Sequence, residues 1–404
     1  MRISKKYFSI DYLIALLLVL SGGSVAFVFN RNALTILLFL SILFGLASRH
    51  NKIRTSSFKP ISLSLLVLIV FLVVNFLFGV EGQSYIKFGF LFFSFFIALL
   101  TLLYFETKNV QILSLFRGVL VLVMFHSVVN FFAYPFIKSN LSVIVNPFNE
   151  YTCSTFNYLF YYMPSRNELS IMGMLFCRNQ GIFWEPGVLQ IFLNLLFFIE
   201  AFVSKQKKSI IVWLTLLAII LTYSTTGIVI LAIQLVVFFW KQIRRNLLLA
   251  PIFLVLAIPF YQLAQQNIED KITGEGSTSA NVRLYDLVQQ VYISLDYPIT
   301  GVGLDDQVYK IKRAEYALNI DLLEFESLEK GSSNSLLFMM AAGGIPFTLY
   351  LLYCLFKQTI VQQKKVLFFV LILLSFMSEP IMLKPFFLLF LMQGSIQLFK
   401  KYSW

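Results

Sequence analysis

Charge is the scarcest property of this chain: only 13% of its 404 residues are Asp, Glu, Lys or Arg, against 58% apolar and 17% aromatic. With a mean hydropathy of +0.80, that balance excludes a water-soluble globular protein. Histidine is nearly absent, present only as His50 and His126. The adjacent acids Asp305-Asp306 admit a metal pair, but with no histidine nearby they read as solvated loop acids, and neither a metal nor a cofactor is expected. Cysteine is limited to Cys153, Cys177 and Cys354, and the first two share one polar segment where an oxidising compartment would let them bond.

Long apolar runs are what the chain has in abundance. Twelve are candidate membrane spans, near residues 12–28, 33–48, 60–79, 88–104, 112–134, 186–203, 209–222, 225–240, 247–263, 334–356, 366–378 and 385–399. Several fall short of the ~20 residues that cross a bilayer unaided. Met1–Lys6 with the run after it imitates a signal peptide and is read as an uncleaved first span. Every second connection is basic: Arg2, Lys5 and Lys6; Arg49, Lys52, Arg54 and Lys59; Lys108; Lys205, Lys207 and Lys208; Lys241, Arg244 and Arg245; Lys357, Lys364 and Lys365; Lys400 and Lys401. By the positive-inside rule both termini are cytoplasmic, and the protein is expected in the cytoplasmic (inner) membrane. These short turns account for most of the net charge of +12, which removes a nucleic-acid partner and leaves membrane lipid.

The expected fold is an all-α polytopic membrane protein, one integral domain over residues 1–404, with two large outer segments at 135–181 and 264–333. The second holds twelve of the twenty acidic residues. Within it, Leu284, Leu287, Val288, Val291 and Leu295 make one stripe of a helix expected over Val282–Leu295, suited to the membrane surface or to the other spans. Arg283 falls in its first turn, where the dipole disfavours a cation, so a partner is expected there. His126, inside the fifth run, is a proton relay or a bond to a neighbouring helix. Arg117 is placed to snorkel to headgroups.

Arg178-Asn-Gln-Gly-Ile-Phe-Trp-Glu185-Pro186 is the stretch with most chemistry. Pro at a first helical position costs no hydrogen bond, and Glu185 before it sits where a helix dipole favours negative charge. An arginine fork suits a phosphate or diphosphate, and a carboxylate suits a hydroxyl or its proton. The same residues also fit a helix cap and a loop arginine bonded to carbonyls.

Together with Arg283, the turn Tyr297-Pro298-Ile-Thr-Gly301-Val-Gly303, the junction Asn334-Ser-Leu-Leu with Gly343-Gly344, and Ser224-Thr-Thr-Gly227, this stretch resembles the O-antigen polymerase and ligase superfamily, the Wzy-type enzymes. Ligase-like members tend to carry a histidine where this chain has Ser332-Ser333, and an arginine where it has Thr225 or Thr226. The resemblance implies a GT-C-like membrane fold and inverting, metal-independent transfer between undecaprenyl-diphosphate-linked oligosaccharides, with a flippase and a chain-length regulator as partners. It further implies Glu185 as base or hydroxyl-orienting group, Arg178 and Arg283 as cations for the leaving diphosphate, and Arg166, Asn334, Gly301 and Gly303 as substrate-binding residues. Both departures favour a polymerase over a ligase. A flippase or transporter of the same lipids is the rival class, but internal repeats and broken or charged mid-membrane helices, which a transporter calls for, are scarce in the sequence.

Overall fold

The computed structural model describes residues 9–48, 55–108, 110–146, 151–171, 173–204, 210–245, 277–316 and 332–400; at residues 55–57, 166, 241, 243 and 277–284 the backbone alone is described. In chain order the helices are α1 (Ile10–Ser21), α2 (Val25–Phe29), α3 (Arg31–Ala47), α4 (Thr55–Phe78), α5 (Tyr85–Lys108), α6 (Ile112–Ile137), α7 (Pro164–Asn167) and α8 (Pro186–Phe198). They continue with α9 (Ile210–Ile220), α10 (Thr225–Arg245), α11 (Ser277–Asp296), α12 (Asp306–Ala314), α13 (Ser335–Gly343), α14 (Ile345–Lys357), α15 (Lys365–Ser378) and α16 (Pro385–Lys400). Four stretches have the length and composition to cross a bilayer, Phe58–Phe78, Tyr85–Lys108, Ile112–Asn140 and Pro186–Val203. The expected run at 247–263 lies outside the described residues.

The chain is mostly helical, not wholly so. Residues 142–177 form five short strands: β1 (Ser142–Val145), β2 (Thr152–Phe156) and β3 (Phe160–Tyr162) in one antiparallel sheet, and β4 (Glu168–Ile171) with β5 (Met174–Cys177) in a hairpin. Thr, Val and aromatic residues populate these strands, as a half-buried pleated surface prefers. Asn157 and Tyr158 turn the chain between β2 and β3 at positive φ, and Gly173 does so between β4 and β5.

Two compact units divide the chain, Met1–Ser41 with Gln111–Asn267, and Ile42–Val110 with Ile268–Trp404. In the first, α8 is the central helix, packed by α6, α9 and α10 and buried at every position but Gly187. Amides lock it to α10. Asn194 Nδ2 donates to Gln190 Oε1 at 3.0 Å and to Gly227 O at 3.2 Å, while Gln234 Nε2 donates to Asn194 Oδ1 at 2.9 Å. Arg117 is not turned wholly toward headgroups: its Nε bonds the buried carboxylate of Glu200, in the π-helical turn that ends α8. His126 Nε2 meets Leu159 O at 2.8 Å, tying α6 to the β2–β3 turn.

The expected first span is two helices. Gly23, at φ +132°, turns the chain between α1 and α2, and a Cβ on Gly22 would meet the Phe192 ring at 2.3 Å. Backbone groups released by the break are taken up by the stretch leading to Glu185: Val25 N donates to Ile182 O at 2.9 Å and Trp184 N to Gly23 O at 3.1 Å.

The second unit repeats this device. The expected span 334–356 breaks at Gly344, whose φ of +84° and approach to Ile299 O leave no room for a side chain. Val302 N and Gly303 N donate to Ala341 O and Ala342 O, each at 2.9 Å, and Ile345 N to Pro298 O at 2.9 Å. Asn75, buried in α4, closes the junction: its Nδ2 donates to Thr300 O at 2.6 Å and Ala342 O at 2.7 Å, and its Oδ1 accepts from Leu304 N at 3.1 Å. The scarcity of broken helices inferred from the sequence is therefore corrected. A glycine pair inside an apolar run leaves hydropathy high while ending the helix.

Asn75→Leu would leave the Thr300 carbonyl and the Leu304 N–H unpaired at that junction, with Ala342 O keeping only Gly303 N, at about 1–3 kcal/mol for each buried group left unsatisfied. A large drop in the unfolding temperature of the detergent-solubilised protein is expected, and a stability within error of wild type would show that the amide is dispensable.

Candidate functional site

The two halves of the first sequence stretch have different local causes. Arg178 leaves β5 with its backbone N donating to Asn167 O at 2.7 Å. Its guanidinium donates through Nη2 to Tyr223 O at 2.8 Å, through Nε to Thr222 O at 3.3 Å and, weakly, through Nη1 to Asn167 Oδ1 at 3.4 Å. Tyr223 sits at φ +49° in the turn between α9 and α10, which presents these successive carbonyls to one side chain. Carbonyl bonding, one of the two readings open in the sequence, is thus realised at Arg178, and it fixes a half-exposed cation against the Ser224-Thr-Thr-Gly227 corner. Within that corner, Ser224 Oγ accepts from Gly227 N at 3.4 Å, so backbone repair is the hydroxyl's job.

Glu185 behaves otherwise. It occupies the N-cap of α8, and its carbonyl accepts from Val188 N and Leu189 N, but its carboxylate makes no capping bond. Gly181, at φ +54°, turns the chain between Arg178 and Glu185, with Asn179 and Gln180 wholly buried. Beneath this loop Tyr151 donates its hydroxyl to Trp184 O at 3.0 Å. Burial, then Cys153, then the Glu185 carboxylate raise the Tyr151 phenol far above its ordinary range, so it stays protonated.

Cys153 and Cys177 are separate thiols, both buried. Cys153 lies on β2 and donates to Tyr162 O at 3.4 Å, whereas Cys177 packs among Tyr134 and Tyr162. Burial pushes their pKa up, to about 11 for Cys153 and about 12 for Cys177.

In the second unit the helix carrying Arg283 starts at Ser277, five residues earlier than the sequence pattern places it. Arg283 is therefore past the first turn, and the dipole argument for a partner lapses; its side chain lies outside the described atoms. One turn on, Asp286 is the centre of a buried network that sequence reasoning missed. Arg313 Nη1 donates to Asp286 Oδ1 at 2.6 Å, and Ser333 N and Oγ donate to Asp286 Oδ2 at 3.1 and 3.0 Å. Gln290 Nε2 donates to Ser332 Oγ at 2.5 Å. The network joins α11, α12 and the start of α13. Its only sequence signal was an acid on the polar flank of an amphipathic helix.

Asn334 caps α13, its Oδ1 accepting from Leu336 N and Leu337 N at 3.0 Å each. Gly301 and Gly303 pack within the break described above: a Cβ on Gly301 would lie 2.4 Å from Ala342 O, and on Gly303 1.9 Å from Gln83 Nε2. Close backbone approach accounts for both glycines. Arg166 is on α7 beside Asn167, and only its backbone is described. Asp305 is not a solvated loop acid: it caps α12 by accepting from Gln307 N at 2.8 Å and pairs with Lys87 at 2.5 Å. Asp306 is the solvated one of the two, loosely paired with Lys310 at 3.6 Å. Among the described residues no group of three or more metal-ligating side chains comes together.

Residues 210–352 match the family model described as O-antigen ligase, consistent with the O-antigen polymerase and ligase superfamily. The match runs from α9 into α14, so it includes Arg283, Gly301, Gly303 and Asn334 and excludes Arg166, Arg178 and Glu185. No curated protein and no solved structure matches the chain. With its apolar helices, the match makes this a multi-pass membrane protein.

Two outcomes follow from the thiols and from Asp305. Cys153 and Cys177 should resist alkylation at neutral pH in the folded protein and both react after denaturation without reductant; a Cys153–Cys177 crosslinked peptide in the mass spectrum would contradict this. Burial alone would raise the Asp305 carboxyl, but the Lys87 ammonium and the N–H groups of Gln307 and Ser84 outweigh it and hold it below its usual value. A depressed folded pKa contributes stability above the unfolded value of about 3.9 and loses it as pH falls through the folded value. The unfolding temperature should decline below about pH 4, and Asp305→Asn should flatten that acid limb.

Proposed function

We propose that this protein joins lipid-linked oligosaccharides by inverting, metal-independent glycosyl transfer, as a polymerase of repeat units at the outer face of the cytoplasmic membrane. The observation that carries the reading is Glu185: a carboxylate at the N-terminus of α8, a turn of chain away from the half-exposed Arg178 and not used as that helix's cap. Family likeness over residues 210–352 supports lipid-linked oligosaccharides as the substrate class, and a polyprenyl diphosphate is the carrier proposed.

In the proposed step a hydroxyl oxygen of the acceptor attacks the anomeric carbon of the donor sugar. The bond from that carbon to the diphosphate oxygen breaks with its electron pair on the diphosphate, and the hydroxyl proton passes to the Glu185 carboxylate. Arg178 is proposed to stabilise the charge developing on the diphosphate, as fixed donors do without reorganising. Arg283, in the second unit, is proposed as a further cation for a leaving diphosphate, and Arg166 for substrate binding. Gly301, Gly303 and Asn334 would act by shaping the junction at the head of α13, not by touching sugar.

A ligase reading is favoured by the description of the matched family. Against it stands the missing histidine, since Ser332 and Ser333 take that place and are engaged by Gln290 and Asp286. Deleting the gene separates the readings by product: single-repeat chains for a polymerase, unattached long polymer for a ligase, cytoplasmic lipid-linked units for a flippase.

Complementing that deletion with Glu185→Gln should shorten the polymer drastically, a general base being worth about 10²–10⁴ in rate, while membrane abundance stays at the wild-type level because no cap is lost. Arg178→Lys and Arg283→Lys keep charge but lose the planar fork, and each should cost about 10²-fold. Long chains from all three variants would move the chemistry elsewhere.

A further inference from the structure

We infer that the C-terminal half of α11 and the turn 297–303 are seated below the headgroup layer, with Leu287, Val291, Leu295 and Ile299 against the acyl chains of bilayer lipid. This stands apart from the catalytic reading.

Depth follows from the broken span. α14 is 13 residues long, about 20 Å at 1.5 Å per residue, against a hydrocarbon core of about 30 Å. With Lys357, Lys364 and Lys365 at one boundary, Gly344 lies about two thirds of the way across, and tilt would only place it deeper. The turn 297–303 is hydrogen-bonded into that break, so it shares its depth. α11 runs beside α13 toward the same point, for Asp286 meets Ser333, Gln290 meets Ser332, and Pro298 meets Ile345.

Irregular backbone is tolerated at such depth only where its polar groups are satisfied by protein. Here they are. Gly301 N donates to Tyr297 O at 3.1 Å, the carbonyls of Thr300 and Val302 accept from Asn75 and Gln83, and Val302 N, Gly303 N and Leu304 N are paired as described.

The side chains facing away from the unit complete the case. On α11 the buried face is Tyr285, Asp286, Gln289, Gln290, Ile293 and Ser294, while Leu287, Val291 and Leu295 point outward, Leu295 at 65% exposure. Ile299 is 72% exposed and adjoins Thr300, whose hydroxyl donates to Phe78 O at 3.2 Å. Phe78, itself 69% exposed, ends the outward apolar stripe Leu66, Val70, Val73 and Leu77 of α4. That stripe belongs to a span of 21 residues with little buried surface, so lipid covers it. Through the Thr300–Phe78 bond, the exposed Ile299 is set beside the end of that stripe. The charges near this face are engaged by protein groups: Asp296 accepts from Tyr316 at 2.5 Å, and Lys312 lies over the Tyr297 ring while pairing with Glu315. An outward apolar face of Leu287, Val291, Leu295 and Ile299 over a buried face that carries Asp286, Gln289 and Gln290 gains nothing in water, whereas a helix seated against lipid requires it.

The test places fluorophores on Val291→Cys, Leu295→Cys and Ile299→Cys, with Glu315→Cys as aqueous control. The background replaces Cys153, Cys177 and Cys354 by Ala, and the full-length protein is reconstituted one copy per phosphatidylcholine nanodisc. Nitroxide on the upper acyl chain should quench the first three at least about twofold more than a water-soluble nitroxide does, with the opposite order at Glu315→Cys. Quenching from water at all four sites would overturn the inference in favour of a solvated loop. Protection from both quenchers, with energy transfer between copies in two-copy discs, would overturn it in favour of a self-association surface. Should the cysteine-free background fail to fold, wild-type protein with a photoactivatable carbene on the acyl chain decides it: labelled peptides spanning 287–299 support the seat, and their absence alongside labelled α4 rejects it.

Discussion

A backbone freed from helical hydrogen bonding inside a membrane has no water to turn to, so each interrupted span must be repaired by another part of the chain. Two of the expected spans are interrupted at glycine pairs, Gly22-Gly23 and Gly343-Gly344, and in both cases the repair comes from a stretch that also carries candidate chemistry. Residues 182–184, leading to Glu185, pair with the first break. Residues 298–303, which follow the helix of Arg283, fill the second. Folding the span and positioning the loop are one event in each unit.

That coupling explains residues whose presence looks functional but whose geometry is architectural. Gly301 and Gly303 have backbone and amide atoms where a side chain would be, so neither position tolerates a Cβ. Asn75 is an uncharged amide where an ionised group would be costly, and with one donor nitrogen and one acceptor oxygen it serves three backbone groups of two distant segments. The ladder of Gln190, Asn194 and Gln234 uses the same chemistry to hold α8 against α10. Amides recur because they satisfy both donors and acceptors without a desolvated charge.

Much of the fold was legible because long apolar runs can only be membrane helices: α4, α5, α6 and α8 fall where hydropathy puts them. The breaks were not legible, since a window of hydropathy averages Gly22-Gly23 into its neighbours. Asn75 was passed over because its partners, Thr300 and Ala342, lie more than two hundred residues away. The strands in 142–177 escaped notice because turn-rich aromatic sequence carries no helical period to contradict. α11 was found by its stripe, yet its start was misplaced, because Ser277-Thr-Ser-Ala joins the helix without adding to the apolar face. Asp286 and Arg313 form a contact that only tertiary packing creates.

The site residues sort by whether the fold already accounts for them. Arg178 is fixed by three oxygens from two neighbouring segments, so its orientation is a structural result. Asn334 is spent on the first turn of α13, the glycines on close approach, and the Asp286 carboxylate on Arg313 and Ser333. Glu185 is different in kind. An N-cap glutamate would normally justify itself by bonding the N–H groups of its own helix, and this one does not, although its backbone is in the capping position. Serine or asparagine would cap α8 better and without a charge at the edge of an apolar unit. The capping position is thus met by the Glu185 backbone alone, its carboxylate is turned to partners other than the N–H groups of α8, and the proposed chemistry is therefore built on Glu185 and not on the more conspicuous arginine.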